Sequence, residues 1–198
     1  DDIYKFVQAK VHLFALRGNI TEKQFQNQND PNSTVTGMIG IDSVSVTISE
    51  VDENGIPVLS SIQTVFTDLN GNFMAMIDAE QNYRITATKN NYLTKSDATN
   101  TIGFSKIDQD TVFASINISL DKIFKNVEVK LSNIYYDFNK WDIRPDAAIV
   151  LDTLVIMLKE NPNIKVEIGS HTDSRGSDSK NLILSQKRAQ SVVDYLVA

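Results

Sequence analysis

The stretch NLILSQKRAQSVVDYL, residues 181–196, decides how the second half of this chain is read. At about 100° per residue, Leu182, Ala189, Val193 and Leu196 fall in one stripe with Val192 at its edge, which is amphipathic helical spacing. Asn181 and Arg188, seven residues apart, lie nearly on one line at the border of that stripe. A border position lets packing hold an arginine stem while its head stays accessible. Ser177 stands at the expected N-cap and Asp178 in the first turn, near the positive end of the helix, which is expected over about residues 178–197.

Just upstream, the apolar run IKVEIGS (164–170) reads as a strand and leads into HTDSRGS (171–177), which sets Asp173 fifteen residues before Arg188. A strand-end carboxylate facing a helix-borne arginine is a receptor for an amino acid's own head group. The carboxylate accepts from the ligand ammonium, and the planar guanidinium grips the ligand carboxylate with two parallel hydrogen bonds. Free N–H groups at the helix start, beside Asp173 and Ser174, add donors for the same carboxylate. This is binding chemistry, not catalysis. The competing reading is an ordinary ion pair tying the helix to a loop, and the two are compatible, since an empty site can bridge its own charges through water.

Working outward, VEVKLSNIYYDF (127–138) reads as another strand, followed by a helix from about 145 to 160. Pro145 suits the first helical position; Ala147, Leu151, Leu154, Val155 and Leu158 recur on one face, and Asn161-Pro162 ends the run. The second half is therefore β-α-β-α, an α+β or α/β layer packing.

Residues 1–122 read as mostly β, with period-two alternation in VHLFAL (11–16), SVSVTIS (43–49), QNYRITAT (81–88) and SINISL (115–120). Asp30-Pro31-Asn32, Asn54-Gly55, Asn70-Gly71 and Asn90-Asn91 punctuate them as turns. Short strands so separated predict a β-sandwich. Residues 19–34, rich in Asn and Gln, read as an exposed loop or a disordered insert. The expected organisation is an α+β two-domain chain: an all-β sandwich over 1–123 and a βαβα layer over 127–198, with the boundary near 124.

Composition narrows the function classes. A chain of 198 residues fits one or two domains, and 41% hydrophobic content with 4 Pro and 8 Gly indicates globular structure. Net charge of -6 and a pI near 4.9 disfavour a general nucleic-acid binder, which needs basic surface to displace counterions. No apolar run reaches the roughly 18–20 residues that span a bilayer, so no membrane-spanning segment is expected. Without cysteine, disulfides and thiolate metal sites are excluded. The lack of an initiator Met and of a signal peptide leads to the expectation of a mature or excised piece.

The pattern N-x-x-L-S-x-x-R-A-x-x-V-x-x-x-L is matched in full by Asn181, Leu184, Ser185, Arg188, Ala189, Val192 and Leu196. With IGSHTDSRGS (168–177) and YYDFNKWDIRPDA (135–147), it closely resembles the OmpA-like C-terminal domain, over roughly residues 127–198. The resemblance implies non-covalent, non-enzymatic recognition of diaminopimelate in the stem peptide of peptidoglycan, without cofactor or metal, in the periplasm at the outer membrane. It assigns the defining contacts to Asp173 and Arg188, and lesser ones to Thr172, Asn181, Asp137 and Asn139. Members of that family continue past the second helix with further strands, so a chain ending at Ala198 is expected to carry an incomplete layer.

The first half resembles, less specifically, the carboxypeptidase regulatory-like β-sandwich, in residues 43–49, in TDLNGNF (67–73) and in residues 83–88 followed by Asn91-Tyr92, where Asn91 replaces a glycine. Such a sandwich joined to an OmpA-like module resembles envelope proteins of the type IX secretion and gliding machinery. It implies envelope protein partners for the sandwich, and leaves a protein-interaction scaffold without wall binding as the alternative.

Other candidates reduce to simpler roles. His171 is expected to orient a strand end, because the only other histidine, His12, lies in the other domain. Ser170, His171 and Asp173 resemble a triad only on paper, since neighbours on a strand point to opposite faces. Residues 68–71 have calcium-loop residue types without the later glutamate, and read as a hairpin turn. Tyr135, Tyr136, Phe138 and Trp141 are expected to pack in the core, with a sugar- or peptide-facing platform as the lesser reading for Tyr136 or Trp141.

Overall fold

In the computed structural model, the described residues are 12–125, 127–131, 134–172 and 177–198. The chain divides into two compact units, Asp1–Lys125 and Asn126–Ala198. In the first, β-branched and aromatic residues alternating with polar ones form strands β1 (Leu13–Phe25), β2 (Val35–Gly40), β3 (Ser45–Glu50), β4 (Gln63–Phe66), β5 (Asn72–Met76), β6 (Asn82–Thr88), β7 (Lys95–Asn100) and β8 (Thr111–Leu120).

Two sheets result. One has the order β4-β3-β6-β7, antiparallel throughout. The other is built on β1, which pairs in parallel with β8 from Leu13 to Glu22. The opposite edge of β1 is shared: β5 takes Ala15–Asn19 and β2 takes Thr21–Phe25. Leu16, Ile20, Phe73, Ile116 and Ile118 from this sheet meet Val46, Ile48, Ile85 and Ala87 from the other in one buried cluster. That is the expected all-β sandwich.

Three chain segments converge where β2 and β5 meet along β1, and glycine makes this possible. The Ile20 N–H donates to Gly71 O at 2.8 Å, and the Ile41 N–H donates to Ile20 O at 2.9 Å. A Cβ on Gly71, where φ is +79°, would run into the Ile20 carbonyl and the Gly40 Cα; one on Gly40 would run into the Asn70 backbone. A side chain at either position would force this junction apart.

Two sequence expectations are corrected here. Residues 19–25 are not loop but the second half of β1. The polar run Asn19, Thr21 and Lys23 hides an ordinary strand alternation whose inward residue, Ile20, is fully buried. Residues 68–71 are not a hairpin turn, because β4 and β5 belong to different sheets. They carry the chain from one layer to the other, with the Asp68 carboxylate accepting the N–H groups of Asn70 (2.9 Å) and Asn72 (2.8 Å). These bonds, above all that from the Asn72 N–H, hold the Asp68 carboxyl below its usual range. Asn91, in the place of a glycine, does adopt the left-handed backbone a glycine would, at φ +69°.

Tyr83 closes one end of the sandwich. Its hydroxyl accepts from the Asp78 N–H at 2.8 Å and donates to the Asp78 carbonyl at 3.2 Å. Burial pushes this phenol up to about 12, and burial likewise pushes Tyr92 to about 12, with Glu22 adding to it. A folded-state pKa above the unfolded value of 10.0 means the stabilisation is intact below pH 10 and lost as pH rises toward about 12. Denaturant midpoints of the first unit should therefore fall across that window, and Tyr83→Phe should flatten the slope without abolishing it, because Tyr92 still titrates.

In the second unit, helices α1 (Pro145–Glu160) and α2 (Asp178–Val197) form over the residues the sequence indicates. Pro145 occupies the first turn of α1, and Ala147 and Leu151 are fully buried. The Asn161 side chain closes the far end, its Nδ2 donating to Met157 O at 2.8 Å. The expected strands at 127–138 and 164–169 are not formed: the described residues of both stretches lie outside any strand. An extended segment becomes a strand only when a neighbouring backbone takes up its N–H and C=O groups. Among the described residues no strand lies beside either stretch.

Candidate functional site

Helix α2 presents a different face from the one periodicity alone suggested. Val192, placed at the edge of the apolar stripe, is its buried residue, whereas Leu182 is 60% and Val193 39% exposed. The inward line runs through Asn181, Ser185, Arg188 and Val192, at i, i+4, i+7 and i+11. Arg188 is thus central on the inner face, not at its border. Ser177 is the N-cap residue as expected, but its hydroxyl makes no capping bond and lies 3.4 Å from that of Ser179.

Arg188 is held from two directions. Its Nε donates to Lys140 O at 2.9 Å and its Nη2 to Asp137 O at 3.3 Å. Those carbonyls belong to one tight turn, closed by the Lys140 N–H donating to Asp137 O at 3.1 Å, with Asn139 left-handed at φ +56°. Asparagine tolerates this backbone better than most residues. On the second side the guanidinium sits over the Tyr136 ring at 4.7 Å. The Tyr136 hydroxyl in turn donates to Arg188 O at 3.0 Å, a carbonyl that also accepts from Ser191 at 2.8 Å. With Nε and Nη2 so committed, Nη1 has no hydrogen-bond partner among the described residues. The head group is fixed, with Nη1 left as donor.

The Asp137 carboxylate is engaged with two nearby cations: Arg144 Nη1 at 3.1 Å and Lys140 Nζ at 3.4 Å. Arg144 also grips Asp146 with two bonds, 3.0 and 3.2 Å, which hold that carboxyl below its usual range. Asp137 and Asn139 therefore shape the turn under Arg188. Thr172 and Asn181 come together elsewhere, in an open cavity of about 320 Å³, with Ser170, His171, Asp178, Leu182 and Ser185. His171 reaches toward Glu128, with Nε2 3.7 Å from Oε1. Asp173, expected to face Arg188 across a gap, lies outside the described residues.

The aromatic cluster is not core. Phe138, at the tip of the turn, is 98% exposed and Tyr135 61%. Trp141 is 41% exposed, with Lys187 Nζ 3.9 Å from its ring centre. Only Tyr136 is drawn inward, by Arg188 and Ser191. Sequence reasoning missed Tyr136 as the residue beneath the arginine; the signal lay in the pairing of an aromatic run with a helical Arg, which is a cation–π pattern. Tyr136→Phe should keep the ring under the guanidinium and lose the bond to Arg188 O. A cost of about 0.5–1.5 kcal/mol is expected, read as a lowered denaturant midpoint for the second unit.

This arrangement is a small helical module, two helices among its described residues, that presents an anchored arginine beside an open polar cavity. Residues 135–198 match the OmpA family. That part of the chain is an OmpA family domain. Curated relatives include outer membrane protein A of Shimwellia blattae, 42% identical over 69 residues, 34% of this chain and 29% of that protein. Outer membrane protein A of Klebsiella pneumoniae is 43% identical over 72 residues (34% and 20%), and outer membrane protein P5 of Haemophilus influenzae 37% over 67 residues (34% and 19%). The chain thus spans between a fifth and three tenths of these relatives. Among solved structures, catechol 1,2-dioxygenase from Acinetobacter sp. ADP1 overlaps 61% of this chain and 56% of that one at 9% identity and a TM-score of 0.38, too distant to bear on chemistry. Among the described residues, no group of three or more His, Cys, Asp or Glu is placed to hold a metal, and no helix is long and apolar enough to cross a membrane.

Proposed function

We propose that residues 127–198 bind cell-wall peptidoglycan without chemistry, through the diaminopimelate of its stem peptide, and thereby anchor an outer-membrane-associated assembly in the periplasm. The observation that carries this reading is the fixed guanidinium of Arg188, whose Nε and Nη2 are spent on the 137–140 turn while Nη1 has no hydrogen-bond partner among the described residues. In this reading the ligand carboxylate meets the Nη1 end, and Asp173 accepts from the ligand ammonium. Thr172 and Asn181, which line one cavity, contact the adjoining peptide. Asp137 and Asn139 act through the turn that positions Arg188. The family match over residues 135–198 supports the assignment. The sandwich over residues 1–123 serves as the docking unit for envelope partners, in the manner of a type IX secretion component.

Single-site affinity should be modest, since few contacts offset the cost of association. Many copies on a polymeric wall make retention effective through avidity. The test is co-sedimentation of the purified chain with native peptidoglycan. Retention that Asp173→Asn lowers supports the proposal; retention unchanged by that substitution, or none at all, favours a scaffold that does not hold the wall. Release of soluble wall fragments would instead reveal an enzyme.

A further inference from the structure

The first unit holds two Asn-Gly pairs, Asn54-Gly55 and Asn70-Gly71, in turns of the same construction. In each, an aspartate two residues before the Asn accepts the Asn N–H: Asn54 to Asp52 Oδ1 and Asn70 to Asp68 Oδ1, both at 2.9 Å. In each, the same carboxylate oxygen accepts a second N–H at 2.8 Å, from Ile56 or Asn72. The Gly N–H donates to the aspartate carbonyl at 2.9 Å in both, and both glycines are left-handed, at φ +76° and +79°. Local geometry does not separate them.

Their surroundings do. Gly55 is exposed, with nothing within 4 Å of the place a Cβ would occupy. Gly71 is buried against the Ile20 carbonyl and Gly40, and its own carbonyl accepts the Ile20 N–H at 2.8 Å. The Asn70 carbonyl is held too, by Asn19 Nδ2 at 2.9 Å. The Asn70-Gly71 peptide is thus fixed on both sides, whereas residues 52–57 are all exposed.

We propose that Asn54 is a site of spontaneous deamidation in the folded protein and that the fold protects Asn70. In this reaction the Gly55 backbone nitrogen, after losing its proton to solvent base, attacks Asn54 Cγ. The N–Cγ bond forms, the Cγ–Nδ2 bond breaks, and the amide nitrogen leaves as ammonia. Water then opens the succinimide at either carbonyl, giving aspartate or isoaspartate. The Gly nitrogen must turn toward the side chain for this ring to close. Gly55 has open space in which to turn, and the pinned Gly71 requires local opening of the sheet junction. The product adds a negative charge beside Asp52 and Glu53, at the rim of a 380 Å³ cavity shared with Asn82 and Thr99.

The experiment incubates the full chain at mildly alkaline pH and maps peptides by mass, with isoaspartate detection. Conversion at Asn54 about tenfold or more faster than at Asn70 is expected, because Asn70 reacts only after local opening. In concentrated urea the two rates should converge, and Gly55→Ala should slow Asn54 alone. Equal rates at the two sites in the folded protein, or an unreactive Asn54 alongside a reactive Asn70, would overturn the proposal. A persistent difference in urea would also overturn it, by tracing the contrast to sequence and not to the fold.

Discussion

Arg188→Lys is expected to weaken peptidoglycan retention by roughly 1.5–3 kcal/mol, the scale of a hydrogen bond to a charged group. The arginine makes two bonds to carbonyls of one turn and sits over the Tyr136 ring, which leaves Nη1 to a ligand. An ammonium has neither the planar fork nor the reach to do all three. It can follow the turn carbonyls or the ligand, and each choice forfeits the other. Asp173→Asn should lose a similar amount by removing the charge that meets the ligand ammonium while keeping side-chain size. Both variants are to be compared with wild type by co-sedimentation across a dilution series, with unfolding midpoints measured alongside to separate lost binding from lost structure.

Gly71→Ala is expected to destabilise the first unit by roughly 2–5 kcal/mol, adding the left-handed penalty of a Cβ to that of overpacking. The added methyl has only backbone to displace, the Ile20 carbonyl and the Gly40 Cα, and both are tied into β1 and β2. Gly55→Ala supplies the control. Its φ of +76° matches that of Gly71, but its surroundings are empty, so about 1–2 kcal/mol is expected from conformation alone. Urea midpoints of the two variants, read against wild type, separate the contribution of crowding from that of backbone handedness. Equal losses would mean that the β2–β5 junction yields easily.

Much of the architecture was legible because hydrophobic spacing and end signals agree. Pro145 and Asn161-Pro162 delimit α1, and the alternation in residues 43–49, 81–88 and 115–120 marks β3, β6 and β8. What failed did so for non-local reasons. The strand character of residues 19–25 rests on β8 and β2 as neighbours, not on local composition. The turn at 68–71 has hairpin chemistry, and only the sheet order reveals it as a crossing between layers. The stripe on α2 was drawn from apolar residues, whereas the inward, half-buried line includes Arg188, because the aromatic face of Tyr136 and the turn carbonyls accept a guanidinium where periodicity seeks leucine. Arg188 was named from helix position and charge, Asp137 and Asn139 from motif resemblance alone, and the structure gathers the three about one turn; Thr172 and Asn181 line a cavity together.

The most direct measurement compares retention of the chain on two walls, one with diaminopimelate in its stem peptide and one with lysine at that place. The side chain of lysine offers an ammonium without the adjoining carboxylate. If Arg188 grips that carboxylate, retention should be strong on the first wall and lost on the second. Equal retention on both would contradict the account.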